Sequence, residues 1–483
     1  MPTLRSLRLL NSVEAGTTSP AQFQTFLTDI GRSAEFSVLL ASRGQSRRMA
    51  GNTLTMVAIA SSPAATNLVF QAATTLSFAA CATVVQSPIA MPVVSASLLS
   101  LNTLGGNLVS WNLFKRSPFF EDEVRNVLAT YVGASTATFP TVTALINSAP
   151  VMGDIASSAY AMNAVVASPP TTTLVAASSV AMALVADNTT AITIVAKETA
   201  IMPIIANSSI AMTEIVSRPI ATSVMAANAG AIVAISRVQT AWDRYLAGPS
   251  FAGNLPLVLA NMIGVNPIDF PTLNSIIASA SALTRVAGNT SAVQALASNS
   301  AAMTTLSISP NLGIILSSTI AMGIIGPNTT AMTSFLNSSG AWAGLFASSV
   351  AKGFIVASTP LVDAVAGNAA LITYLGTLAV TTSATGIPDG NAANSSLQPF
   401  VAVPALPSRV LVLSAKEVGI AATFSSYNFG GSVLAGTQAG ATLSLSASVV
   451  TAHIAGYTAM TWNLQAIGVT AATLPIITFV NMS

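Results

Sequence analysis

The chain has 483 residues, with 17 Lys or Arg and 15 Asp or Glu, so its net charge is only +2. Charged residues make up 7 % and hydrophobic ones 52 %, with a single Cys and a single His; an ordinary soluble domain is about 25 % charged. This composition excludes charge-rich disorder, an internal disulfide framework, a metal site built on a His/Cys cluster, and the basic footprint that nucleic-acid binding needs.

Residues 1–50 carry six arginines (Arg5, Arg8, Arg32, Arg43, Arg47, Arg48) against Glu14, Asp29 and Glu35, a local +3. Ser19-Pro20 followed by AQFQTFLTDIG predicts a capped helix that stops near Gly31, and a second starts between Ser33 and Leu40. This stretch is read as a helical N-terminal anchor or cap. No signal peptide is visible, since no apolar core follows Arg5 and Arg8. Between Arg48 and Lys115 no residue is charged, yet polar pairs and prolines interrupt every apolar run before it reaches ten. A spanning helix wants about 20 apolar residues, so no membrane insertion is expected.

A ten-residue repeat dominates 51–375, with a less regular insert near 100–150. It reads VAMALVADNT, TAITIVAKET, IAMTEIVSRP and, later, IAMGIIGPNT, TAMTSFLNSS, GAWAGLFASS. Counting Ala as position one, apolar residues fall at one, two, five and six, as in Ala181, Met182, Val185 and Ala186. That spacing is the apolar stripe of a short helix. The Ser, Thr or Asn before it supplies an N-cap, and Pro88 and Pro169 follow Ser87 and Ser168, where a first helical position tolerates proline. Two helical turns cannot persist alone, so each unit must lean on the next. The expected fold is mainly α: a solenoid of very short helices on a ten-residue repeat. The Val, Ile and Thr content, with Pro92 and Pro203 after Met91 and Met202, keeps a β-solenoid as the alternative.

Within the insert, SPFFEDEVRNVLATYVG (117–133) is the densest charge cluster. Glu121, Asp122 and Glu123 fall in the first turn of a helix, where the macrodipole favours carboxylates. Residues 376–408 are Gly-, Pro-, Asn- and Ser-rich and read as a linker. Residues 409–483 alternate or run apolar between Gly-containing turns and predict a small all-β C-terminal domain. Its Tyr427, Tyr457 and Trp462 are candidate tip-binding aromatics, beside Phe429, and its lone His453 reads as structural. Cys81 lies in an apolar stretch and reads as buried and inert. No phosphate-loop, zinc-protease or nucleophile-elbow motif occurs, and no catalytic, cofactor-binding or metal-ligating residue is assigned.

Strings of the SSxAMxxVxAS type resemble repeats in virion proteins of tailed bacteriophages, described as tail fibre or structural proteins. The stretch LRLLNSVEAGTTSPAQFQTFLTDIGRSAEFSVLLASRGQSRRMA is similar to the segment that precedes such repeats. The resemblance implies a non-enzymatic virion component, assembled in the host cytoplasm, that contacts other virion proteins. It also implies identical subunits, with a trimer as the first expectation, and carries over no catalytic residue. Attachment to a host surface receptor through the C-terminal tip is a further expectation. A head fibre or capsid-decorating protein, or a bacterial surface adhesin or membrane-associated repeat protein, is the alternative.

Overall fold

A computed structural model describes residues 42–71 and 75–378, scattered positions between 11 and 40, and strand segments between 380 and 481. The structure is mainly α. The predicted helix ending near Gly31, most of the basic head, Tyr457 and His453 lie outside the described residues. The chain divides into two compact units, Met1–Asn254 and Leu255–Ser483.

In order, the helices are α1 (Arg43–Ala50), α2 (Thr53–Ser61), α3 (Pro63–Phe70), α4 (Thr75–Val85), α5 (Ala90–Ser95), α6 (Leu98–Gly105), α7 (Leu108–Lys115), α8 (Phe120–Val132), α9 (Val142–Asn147) and α10 (Ala149–Ser157). There follow α11 (Ala159–Ala167), α12 (Pro169–Ala177), α13 (Ser179–Asp187), α14 (Thr189–Lys197), α15 (Met202–Asn207), α16 (Ser209–Val216), α17 (Pro219–Ala226), α18 (Ala229–Ser236), α19 (Gln239–Leu246) and α20 (Phe251–Ile263). The last are α21 (Leu273–Ala278), α22 (Ala280–Ala287), α23 (Thr290–Ala297), α24 (Ser300–Ser307), α25 (Leu312–Ser317), α26 (Thr319–Ile325), α27 (Thr329–Leu336), α28 (Ser339–Ala347), α29 (Ser349–Val356), α30 (Thr359–Gly367) and α31 (Ala369–Leu378). The β-solenoid alternative is therefore overturned for the repeat. Its apolar residues follow a four-based spacing that puts them on one helical face, and alternation is missing.

The corner between helices is tighter than the polar turn expected from the repeat: in the regular stretches it is a single extended residue. Ser178 (φ −105°, ψ 116°) both ends α12 and caps α13. Its N–H donates to the Val175 carbonyl at 3.1 Å, its Oγ accepts from the Ala181 N–H at 3.3 Å, and its carbonyl accepts from the Met182 N–H at 2.9 Å. One residue thus satisfies orphan backbone groups on both sides of the bend. The chain turns 99° between α12 and α13, and 104° and 99° at the α2–α3 and α17–α18 corners.

Turns of about this size bring the chain back over itself after three helices. Within the first unit α13 packs on α10 and α16 on α13; α14 packs on α11 and α17 on α14. In the second unit α26 packs on α23, α27 on α24 and α28 on α25. Three consecutive helices therefore make a layer, and the next three lie on it. The Ala, Met and Ile columns fill the interior: Ala181, Met182, Ala191, Ile192, Ala211, Met212 and Ile215 are all fully buried. Small Ala lets neighbouring helices approach, and Met fills irregular gaps. Burying a side chain of this size contributes about 1.5–3 kcal/mol, which a nine-residue helix lacks in isolation.

The prolines that argued for strands are explained by late helix starts. Pro203 sits in the first turn of α15, because a turn at 199–201 precedes Met202. Pro92 is the third residue of α5. Pro88 is a correction: α5 starts at Ala90, so this proline lies in the preceding turn, although Ser87 Oγ still accepts from the Ala90 N–H at 3.2 Å. Pro169 does occupy the first position of α12 behind Ser168.

Beyond Leu378 the described residues are the strands β1 (Val380–Ser383), β2 (Gln398–Val401), β3 (Val410–Glu417), β4 (Phe424–Gly430), β5 (Thr442–Leu443), β6 (Ile454–Ala455), β7 (Thr461–Ala466) and β8 (Pro475–Asn481). All pair antiparallel, in the orders β1-β8-β3-β6 and β2-β7-β4-β5.

Ser208 shows how a layer is tied to its neighbour: its Oγ accepts from the Ala211 N–H at 3.1 Å and donates to the Ala176 carbonyl, 32 residues earlier, at 2.5 Å. Ser208→Ala removes both bonds and is expected to cost about 1–2 kcal/mol. Ser209→Ala, at an exposed neighbour, stays within about 0.5 kcal/mol. Urea unfolding of the two variants compares them, and equal midpoints would remove the tie.

Candidate functional site

The layers turn their ninth and tenth repeat positions outward, and some carry large apolar residues. Val180 on α13 is 47 % exposed and Ile210 on α16 is 38 % exposed. Because α16 packs on α13, the two belong to one row. Tyr160 on α11 and Ile220 on α17 flank Thr190 of α14 in a second row. Charges gather beside the first row. Arg218 Nε donates to Asp187 Oδ1 at 2.7 Å, and its Nη1 pairs with Glu214. Arg244 Nη1 reaches the Ser209 carbonyl at 2.6 Å, 35 residues back.

The acidic helix start expected at 121–123 is present as the first turn of α8, but two of its carboxylates do more than favour the macrodipole. Glu123, nearly buried, accepts from Ser95 Oγ at 2.5 Å and from Asn126 Nδ2 at 2.6 Å. Glu121 accepts from Ser168 Oγ at 2.6 Å, 47 residues on. Ser168 in turn caps Thr171. These carboxylates bind α8 to α5 and to the corner before α12.

Beside them, Tyr131 and Tyr160 stack at 5.7 Å with 16° between their planes, and Tyr131 donates to the Leu101 carbonyl at 2.9 Å. A Cβ on Gly105 would lie 2.6 Å from the Tyr160 ring, so only glycine fits there. This aromatic pair had no motif to announce it. The paired glycines Gly105-Gly106 were the one local signal.

Between α1 and α4 runs an open groove of about 760 Å³, with Ala50 and Ala82 lining it, Phe78 at its edge, and Arg43 and Arg47 beside it. Cys81 is buried on the same helix, and desolvation pushes its thiol up to about 12, partly opposed by a hydrogen bond with Ser110. Burial also raises the Tyr245 phenol, and burial followed by the neighbouring Tyr160 raises that of Tyr131. Among the described residues no three of His, Cys, Asp and Glu come together as a metal site. Among the same residues no single helix is long and apolar enough to cross a membrane.

Of the candidate tip aromatics, Tyr427 lies in β4 and Trp462 in β7; Tyr457 lies outside the described residues. The β4–β7 ladder sets Phe429 opposite Trp462 and Tyr427 opposite Leu464. It brings Phe429 into register with Trp462 but does not pair Tyr427 with Trp462.

The fold defines the chain as a mainly α protein of stacked short helices. No protein-family model matches it, and no curated protein does.

The raised thiol and phenols set a pH dependence. The unfolded chain surrenders these protons at their ordinary values, first the thiol near 9, while the folded chain holds them longer. Stability is therefore complete below about pH 9 and falls above it. Thermal melts from pH 8 to 11 should show that fall, and Cys81→Ala should remove its earliest part. An unchanged profile in the variant would discard the thiol's share. At pH 8 a disulfide reagent should label Cys81 only after unfolding.

Proposed function

We propose that this chain is a structural subunit of a bacteriophage virion, a tail fibre or fibre-like appendage, and acts without catalysis. The reading rests on one observation: half-exposed apolar residues such as Val180 and Ile210 recur on helices stacked layer upon layer. A surface repeating at the layer spacing is best matched by another with the same spacing, which an identical chain supplies. Repeated apolar positions left open on a single chain favour association. The resemblance of the decads and of residues 7–50 to phage virion repeats supports the same reading.

In finer detail, the stacked layers form a solenoid, with residues 1–50 as anchor or cap. The strands within 409–483 close a small all-β domain at a tip or subunit contact, where Tyr427, Tyr457 and Trp462 are the candidate receptor-facing aromatics. The subunits are a homo-oligomer, a trimer first, in contact with other virion proteins and, at the tip, a host surface receptor.

Sedimentation of the full chain, with antibody-labelled electron microscopy of purified particles, tests this. The expected result is an oligomer and label on an appendage. Label on the head would move the protein to a head fibre or decoration. A monomer missing from particles would overturn the proposal. Particles lacking 409–483 should assemble yet fail to attach to cells; normal attachment would remove the receptor role.

A further inference from the structure

The less regular insert has a second copy. Trp111, Phe120, Gly133, Phe139 and Thr141 recur as Trp242, Phe251, Gly264, Phe270 and Thr272, every pair 131 positions apart (111 to 242, 133 to 264). The local structures correspond as closely. α8 and α20 are both 13 residues long, where neighbouring helices run to eight or nine, and each leads to a six-residue helix, α9 or α21. Phe114 and Phe120 meet edge-on at 5.5 Å and 82°; Tyr245 and Phe251 do so at 6.1 Å and 73°.

Both long helices end on a left-handed glycine, Gly133 and Gly264, each with φ 67°. Past it, the Ala134 N–H reaches back to the Ala129 carbonyl at 2.8 Å, and the Val265 N–H to the Ala260 carbonyl at 3.0 Å. Each loop then closes on a threonine cap. Thr141 Oγ1 accepts from the Ala144 N–H at 3.1 Å, and Thr272 Oγ1 from the Ser275 N–H at 3.2 Å. What matches is the framework of glycine, aromatic anchor and cap. The tips differ, STAT at 135–138 against NPID at 266–269. A shared ligand for the two loops is thereby disfavoured, and a shared structural duty favoured.

We infer that residues 111–146 and 242–277 are two copies of one module whose loop is a built-in release point, the place where each stack opens first. Among the other described corners the linking segment runs from one residue to four, and at the shortest, such as Ser178, the N–H and C=O are both spent on the flanking helices. The two loops instead run for nine residues each, 133–141 and 264–272, with Ser135 to Thr138 exposed in the first and Gly264, Asn266, Ile268 and Asp269 in the second. In stacked repeats stability is the sum of local and neighbour terms, so opening begins where a regular corner is replaced by exposed loop.

Hydrogen exchange followed by mass spectrometry on the full chain tests this. Peptides covering 134–140 and 265–271 should exchange at similar rates, about 100-fold faster than those covering the corners at Ser178 and Ser208. Limited thermolysin digestion should cut first at both loops. Either loop protected as well as those corners, or the two loops differing by more than about tenfold, would overturn the inference. Gly133→Ala and Gly264→Ala supply a second reading. Neither added methyl meets a neighbour within 4 Å, so only the backbone strain acts. Both should lower the melting temperature, and by similar amounts. Unequal shifts would count against equivalence of the two modules.

Discussion

A side chain that bonds in two directions at once holds this structure together. At Ser208, Ser318 and Ser348 the corner hydroxyl accepts from its own helix and donates to a carbonyl 31 or 32 residues earlier, at 2.5–2.8 Å. Asn368 does the same with an amide: Oδ1 accepts from the Leu371 N–H, and Nδ2 donates to Leu336. Capping stabilises a helix of eight or nine residues only marginally, and the second bond anchors it to a neighbour that is equally weak alone. The apolar columns supply most of the energy. The bifunctional corner sets where each layer rests on the last.

Where the corner lacks such a group, another contact takes its place. Arg218 makes no side-chain cap to α17, yet it spans Asp187 in the layer beneath and Glu214 in the preceding helix. Thr172 and Thr222 stand at a column held mostly by Met or Ile, and each returns its hydroxyl to a carbonyl seven residues earlier, across the corner. A polar residue thus enters the core without an unmet hydrogen bond.

The helical stripe was legible because burial follows the repeat: Ala181, Met182, Val185 and Ala186 are the inward residues, as their spacing implied. The caps were legible for the same local reason. The packing partner was not. Periodicity of ten suggests that each unit rests on the next, whereas bends of about 100°, as at the α2–α3, α12–α13 and α17–α18 corners, make the third helix along an equally important support. That angle arises from the backbone conformation of the one or two corner residues and leaves no trace in hydrophobic patterning. The duties of Glu121 and Glu123 were hidden similarly, since Ser168 and Ser95 are remote in sequence. The second insert was readable in principle. Its Trp242, Phe251 and Gly264 echo the first, but at a period too long for a decad register to reveal. For the candidate tip, sequence placed Tyr427 and Trp462 in strands, and the backbone ladder adds that Phe429 lies opposite Trp462 and Tyr427 opposite Leu464.

One-residue corners also govern how such a chain yields to tension. Each layer is clasped to its neighbour by few bonds, and each clasp spans about 31 residues, as between Ala287 and Ser318. Pulled from an end, a unit would unspool from its outermost layer inward. Each rupture would pay out chain only as far as the next clasp, about ten residues and about 30 Å between those at Ser338 and Ser348. Outside the two long loops, regular layers held this way would give under load one rung at a time, each loss leaving the clasps beyond it in place.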